Sequence, residues 1–304
     1  MVHFRSLPIR SRLAVLAIST ALCLAACAPE ATPQQAQPTV CPTPEIQVCE
    51  FPAELLAENS QPPDSAVCTE KGEITRYENP SELLNGTLAL SVYLPPCYDP
   101  LKAGGYPVLF LLHGQKYDDR MWINLGAADL ADEYMASGEW QPFIMVMPFE
   151  EFFYRKAADN QYPVAIVEEV LPWVDETFNT CSERACRALG GISRGASWTV
   201  RIGLNDWQQF GALGVHSLPD FLGGPDAVAD WLEGIPHDQY PRVYMDSGHL
   251  DTEIKIAYHT EQVLNEKGVP HEWHMSEGRH EEAYWQAHIA DYMNWYASLW
   301  TKAE

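Results

Sequence analysis

Positive charge is scarce in this chain. Lysine and arginine number 19 against 42 aspartates and glutamates, for a formal net charge of −23 over 304 residues. Holding a phosphate backbone requires Lys/Arg neutralisation, so nucleic acid is excluded as a partner, and docking on anionic lipid through a basic patch is excluded with it. Long apolar runs are missing too. After residue 26 no segment has the roughly 18 uninterrupted apolar residues of a transmembrane helix. No Cys-x-x-Cys pair exists, and His271-Glu272-Trp273-His274 lacks the His-Glu-x-x-His spacing of zinc proteases, so no metal is expected. There is no internal repeat. What remains is 46% hydrophobic, ordinary for a globular chain and too much for whole-chain disorder.

The first residues read as an address. Arg5, Arg10 and Arg12 precede an apolar run, Leu13 to Ala26, of the length of a secretory h-region. The run ends Leu24-Ala25-Ala26-Cys27, which looks like a bacterial lipobox with Cys27 as the lipidated residue. Residues 1–26 are therefore expected to be a lipoprotein signal peptide, and the protein to be secreted and anchored through lipid on Cys27 to the outer face of a bacterial membrane. Losing that leader, with its three arginines and no acid, would take the net charge from −23 to −26. Residues 27–67 read as a tether. Eight prolines fall between residues 28 and 67, a composition that favours extended, semi-rigid spacers. Residues 68–304 are left for one domain.

Cysteine use points to an oxidising compartment. Besides Cys23 in the leader and Cys27, six remain: Cys41, Cys49, Cys68, Cys97, Cys181 and Cys186. Residues 72–78 and 87–95 read as a hairpin turning near residues 82–83. Its antiparallel register places Cys68 opposite Cys97. Cys181 with Cys186 and Cys41 with Cys49 would then close two short loops.

From residue 68 onward short apolar runs alternate with helix-length segments. The runs are 106–113, 143–147, 188–192, 211–215, 242–245 and 271–276. The helical segments are about 122–138, 162–178, 194–206, 226–233, 253–267 and 283–301. Continuous apolar runs suit parallel strands buried on both faces. The expected fold is α/β: a doubly wound, mostly parallel sheet with the N-terminal hairpin antiparallel at one edge.

The chemistry lies at the ends of those strands. Gly191-Ile192-Ser193-Arg194-Gly195 is Gly-x-Ser-x-Gly between a strand and a helix, where a strained turn exposes the serine Oγ and the glycines let strand and helix close in. A serine hydroxyl needs a base and an orienting acid. In this architecture the order is Ser, acid, His. Asp251 follows a strand and precedes a helix, the place for the acid, with Asp246 and Glu253 as rivals. One helix and strand later comes His280, the candidate base. Oxyanion donors should be the N–H of Arg194, directly after the nucleophile, and that of Gln115, after the strand-ending Leu111-Leu112-His113-Gly114. His216, Trp122 and Tyr284 are candidate pocket residues. His271, His274 and His288 read as structural.

These stretches carry a resemblance. Val92-Tyr93-Leu94-Pro95-Pro96-Cys97-Tyr98-Asp99, Leu111-Leu112-His113-Gly114, Val170-Leu171-Pro172-Trp173-Val174-Asp175, Gly191–Gly195, Gly248-His249-Leu250-Asp251 and Gly278-Arg279-His280 run in the order of the putative-esterase family of α/β-hydrolases. That family includes S-formylglutathione hydrolases of the esterase D type, feruloyl esterases, ferric-enterobactin esterases and mycolyltransferases. The resemblance implies an α/β-hydrolase with Ser193, Asp251 and His280 as nucleophile, acid and base, and no cofactor. The implied activity is a serine carboxylic-ester hydrolase working through an acyl-enzyme on small-molecule or polysaccharide-linked esters. Acyl transfer of the mycolyltransferase type uses the same triad and is one alternative. A lipid-anchored ligand-binding protein without catalysis is another. Two positions depart from the family pattern. Arg194 stands where a hydrophobic residue, often Met, is usual, and Ala196 where a second Gly is usual. Arg194 is expected to pair with Asp118 or Asp119, or to bind an acidic group on the substrate.

Overall fold

A computed structural model describes residue 68 and residues 70–301. The leader, Cys27, Cys41, Cys49 and the proline-rich stretch lie outside the described residues.

Eight strands form one sheet: β1 (Glu73–Ser81), β2 (Gly86–Leu94), β3 (Val108–Leu112), β4 (Ile144–Pro148), β5 (Arg187–Ile192), β6 (Ala212–His216), β7 (Arg242–Gly248) and β8 (His271–Ser276). Their order across the sheet is β1-β2-β4-β3-β5-β6-β7-β8. β1, β2 and β4 pair antiparallel, and every pairing from β4 through β8 is parallel. This is the α/β-hydrolase arrangement expected, hairpin included. The hairpin register differs slightly. Glu73 faces Leu94 and Ser81 faces Gly86, so the turn is Glu82–Asn85, one residue further along than the expected centre. Asn85 takes φ 55°, a conformation Asn tolerates and most residues do not. Cys68 and Cys97 still meet, with Cα atoms 6.0 Å apart, and Cys181 is joined to Cys186.

The parallel strands are buried on both faces, and the period-two alternation shows it. In β3, Val108, Phe110 and Leu112 enter one core while Leu109 and Leu111 enter the other; in β4, Ile144 and Val146 oppose Met145 and Met147. The second core is closed by α1 (Met121–Asn124), α2 (Ala127–Ala136) and the aromatic face of α8 (Glu282–Ser298). The first lies under α3 (Tyr162–Ala165), α4 (Leu171–Thr177), α5 (Arg194–Asn205), α6 (Gly224–Glu233) and α7 (Ile254–Lys267).

Two expected helices are interrupted, each for a local reason. The segment 122–138 breaks at Gly126, which adopts φ 103° and starts α2 afresh. The segment 162–178 carries a π turn, Ile166–Val170, ahead of Pro172, whose ring has no N–H to continue the ladder. Among the described residues no helix is long and apolar enough to cross a membrane.

β3 through β8 run the same way, so the residues just past their C-terminal ends share one edge of the sheet. That edge carries Gln115, Glu150, Ser193, Ser217, Asp251 and His280, one after each strand in turn. Open α/β sheets bind ligands there.

Candidate active site

Ser193 sits between β5 and α5 with φ 55° and ψ −120°, a region L-residues avoid. The flanking glycines make the turn possible. A Cβ on Gly191 would run into the Gly195 backbone, and one on Gly195 into the Leu112 carbonyl at the end of β3. The Ser193 N–H donates to the His216 carbonyl at 2.9 Å, which ties the strained residue to β6.

Ser193 Oγ lies 2.7 Å from His280 Nε2, and His280 Nδ1 lies 2.8 Å from Asp251 Oδ2. The carboxylate holds the imidazole proton on Nδ1 and leaves Nε2 free to accept the serine proton. Asp251 is almost wholly buried. Burial works against its charged form, but hydrogen bonds from His280, the Glu253 N–H and the Ser217 hydroxyl outweigh it and hold the carboxyl below the usual range. Asp251 is thus the residue brought to His280. The rival Glu253 supplies its backbone N–H to Asp251 Oδ1 at 2.8 Å. The other rival, Asp246, belongs to a different network.

Gln115 and Arg194 both line the cleft beside Ser193. Among the described residues, neither of their backbone N–H groups makes another hydrogen bond. The turn carrying Gln115 is pinned by His113. Its Nε2 accepts the Glu150 N–H at 2.8 Å, so Nδ1 carries the proton and donates to the Gly114 carbonyl at 2.8 Å. Burial, outweighing that bond and nearby carboxylates, lowers the His113 pKa and keeps the ring neutral.

The Arg194 expectation is corrected. Its partner is Glu150, after β4: Nε to Oε2 at 2.7 Å and Nη2 to Oε1 at 2.6 Å. Asn160 Nδ2 and Trp198 Nε1 fill the remaining carboxylate sites at 2.6 and 2.8 Å. Asp119 is occupied elsewhere, by Arg76 and the Ser91 hydroxyl. The Asp118 carboxylate accepts the Arg120 N–H. Glu150 was missed in the sequence because nothing in Pro148-Phe149-Glu150 resembles a motif. Its place directly after a parallel strand was the available signal.

The three pocket candidates are corrected as well. None lines the cleft. His216 is fully buried, with Nδ1 2.7 Å from Asp246 Oδ1 and Nε2 2.8 Å from the Tyr296 hydroxyl. Trp122 is buried beneath β3 and donates to the Leu112 carbonyl. Tyr284 donates to Asp246 Oδ2, as does Tyr292. Burial first, then the Asp246 charge, raises the pKa of both tyrosines, so they stay donors. The sequence could not foresee this hub. It depends on Tyr296, whose hydroxyl reaches between β5 and β6 only because Gly190 and Gly214 have no Cβ to block it.

The cleft itself has a volume of about 280 Å³. Its walls include Trp198, Arg201, Pro219, Asp220, Phe221 and Leu222. Among the described residues no cluster of His, Cys, Asp or Glu is arranged to hold a metal ion.

A family profile described as putative esterase matches residues 81–296. An endo-1,4-beta-xylanase/feruloyl esterase of Xylanibacter ruminicola is 28% identical over 216 residues, covering 66% of this chain and 29% of that protein. The chain thus spans less than a third of this relative. Among solved structures, the feruloyl esterase module from Clostridium thermocellum, complexed with sinapinate, superposes with a TM-score of 0.65 at 20% identity, covering 80% of this chain and 94% of that one. An S-formylglutathione hydrolase from Staphylococcus aureus gives 0.60 at 17% identity, covering 74% and 99%. At these identities the structures speak for the fold.

Proposed function

We propose, from the premise that the chain belongs to the putative-esterase family, that it hydrolyses carboxylic esters through a serine acyl-enzyme. The observation that carries this is the unbroken line from Ser193 Oγ to His280 to Asp251, opening on the cleft. Ser193 attacks the ester carbonyl as His280 Nε2 takes its proton. Asp251 orients the imidazole and stabilises the imidazolium. The N–H groups of Gln115 and Arg194 receive the oxyanion. His280 then protonates the leaving alcohol, and on the return half activates a water that releases the acid. No step calls for a cofactor.

Small-molecule or polysaccharide-linked esters are the proposed substrates, supported by the feruloyl esterase in the name of a relative. Secretion and anchoring through lipid on Cys27 are proposed on the leader sequence, and the pairing of Cys68 with Cys97 suits an oxidising compartment. The test is a chromogenic ester panel graded by acyl length, run on the full chain and on Ser193→Ala, with fluorophosphonate labelling alongside. Turnover and labelling that both vanish in Ser193→Ala are expected. Equal turnover by the variant, or a wild type that neither labels nor turns over, would overturn the reading.

A further inference from the structure

Helix α5 forms one wall of the cleft, and its inward face is unusually polar. Arg194, Ser197, Trp198 and Arg201 fall at helical spacing on that face, and all four line the cleft. The two guanidiniums flank the Trp198 ring, with their carbons 5.1 and 5.6 Å from its centroid. Their charges are not equivalent. Arg194 is matched by the buried Glu150 and has little left to offer a ligand. Arg201 donates from Nη1 to the Ala157 carbonyl at 3.0 Å, and among the described residues no carboxylate lies within ion-pair distance of it. Among the described residues Arg76, Arg187, Arg194 and Arg242 are paired with acids, whereas Arg201, like Arg120, Arg155, Arg184 and Arg279, is not; of these unpaired arginines Arg201 is the one that lines the cleft. Between Arg201 and the nucleophile lies Ser197, whose Oγ is buried with no hydrogen-bond partner.

Apolar surface surrounds this end of the cleft through Trp198, Phe221 and Leu222. A charge beside low-dielectric walls acts more strongly than one in open water. Two acids also line the cleft, Asp220 on the loop after β6 and Glu253 ahead of α7. They make the rest of the cleft unfavourable for an anion, which is held there only in direct contact with the Arg201 guanidinium. A guanidinium fork matches a carboxylate in two parallel hydrogen bonds.

Resting on the hydrolase reading above, we propose that the cleft selects esters bearing a second, carboxylate group, bound by Arg201 with help from the Ser197 hydroxyl. Arg201 follows Ser193 by eight residues, a rise of about 12 Å along the helix, and side chains lean back toward the N-terminus. The carboxylate therefore stands about five to seven bonds from the scissile carbonyl.

Mono-p-nitrophenyl esters of linear dicarboxylic acids, from glutaric to azelaic, place the charge on the acyl side. Their methyl-capped counterparts remove it. Acetates of ω-hydroxy acids and of their methyl esters do the same on the alcohol side. On the full chain, the charged-to-neutral ratio of kcat/KM should exceed tenfold at one chain length on one side, mainly through KM, and shrink in high salt. Arg201→Gln should bring that ratio near one, with Ser197→Ala giving a smaller fall. A wild-type ratio near or below one at every length on both sides overturns the proposal. So does a ratio that survives Arg201→Gln. Turnover without charge preference sinks this inference alone. No turnover of any ester and no fluorophosphonate labelling sinks the hydrolase reading along with it.

Discussion

Glu150→Gln isolates what the Arg194 pair contributes. The change keeps shape and removes charge. In the native site both carboxylate oxygens are saturated: Oε1 accepts from Arg194 and Asn160, Oε2 from Arg194 and Trp198. An amide can present one oxygen and one NH₂. Whichever way it turns, two N–H donors then face an NH₂, and two of four hydrogen bonds are lost. Bonds to a charged acceptor contribute about 1.5–3 kcal/mol each. The Arg194 side chain retains 18% exposure and can be rehydrated in part, whereas Glu150 retains 2%. The low end therefore applies, about 3 kcal/mol in total. For a domain of this size that corresponds to a fall in Tm of about 6–12 °C. Thermal unfolding of Glu150→Gln, Arg194→Met and the double variant would measure it, with a coupling of at least about 1 kcal/mol between the two sites. A Tm within about 2 °C of wild type for Glu150→Gln, or strict additivity in the cycle, would refute the claim that this pair holds the start of α5 to the β4 loop.

Gly195→Ala should fail to give active, stable protein, because its Cβ would meet the Leu112 carbonyl, a backbone atom that cannot step aside; soluble expression and ester turnover check it. Asp246→Asn should lower kcat more than KM for a small neutral ester. The hub reaches the elbow through His216 and packs Tyr284 against Gly278 in the turn before His280. An unchanged kcat in a folded variant would show the hub to be only structural. His113→Gln addresses pH. Burial lowers the folded-state pKa of His113, so the unfolded chain takes up its proton first as pH falls below about 6.5. Its stabilisation is present above that pH and is lost as pH falls toward the folded pKa. Urea midpoints from pH 8 to 5 should decline more steeply for wild type than for His113→Gln, and parallel declines would count against the assignment.

How far the sequence carried the site depends on the physics behind each residue. The meeting of Ser193, Asp251 and His280 was legible because the strand–turn–helix order brings the residues past β5, β7 and β8 to one edge, and local residues mark each turn. The sheet was legible because strands buried on both faces leave unbroken apolar runs such as Val108–Leu112. The pocket was not legible. Trp122, Tyr284 and His216 have the composition of a binding site, but their polar atoms are spent on Leu112, Asp246 and Tyr296. An aromatic residue near a motif says nothing of which way its ring faces.

The missed residues obey a rule that was available. Each parallel strand delivers one residue to the same edge, and the residues past β3, β5, β7 and β8 were read that way. Applied equally to β4 and β6, the rule points to Glu150 and Ser217. Both hold the machinery from outside it: Glu150 accepts Arg194, and Ser217 accepts Trp285 while supporting Asp251. Motif recognition finds the residues proposed to react, because the proposed chemistry restricts their type. Supporting residues are restricted by position, since any side chain with the right polar atom at that edge can serve. A strand's C-terminal end is therefore the better guide to them, as the Glu150–Arg194 pair shows, with one partner just past β4 and the other just past β5.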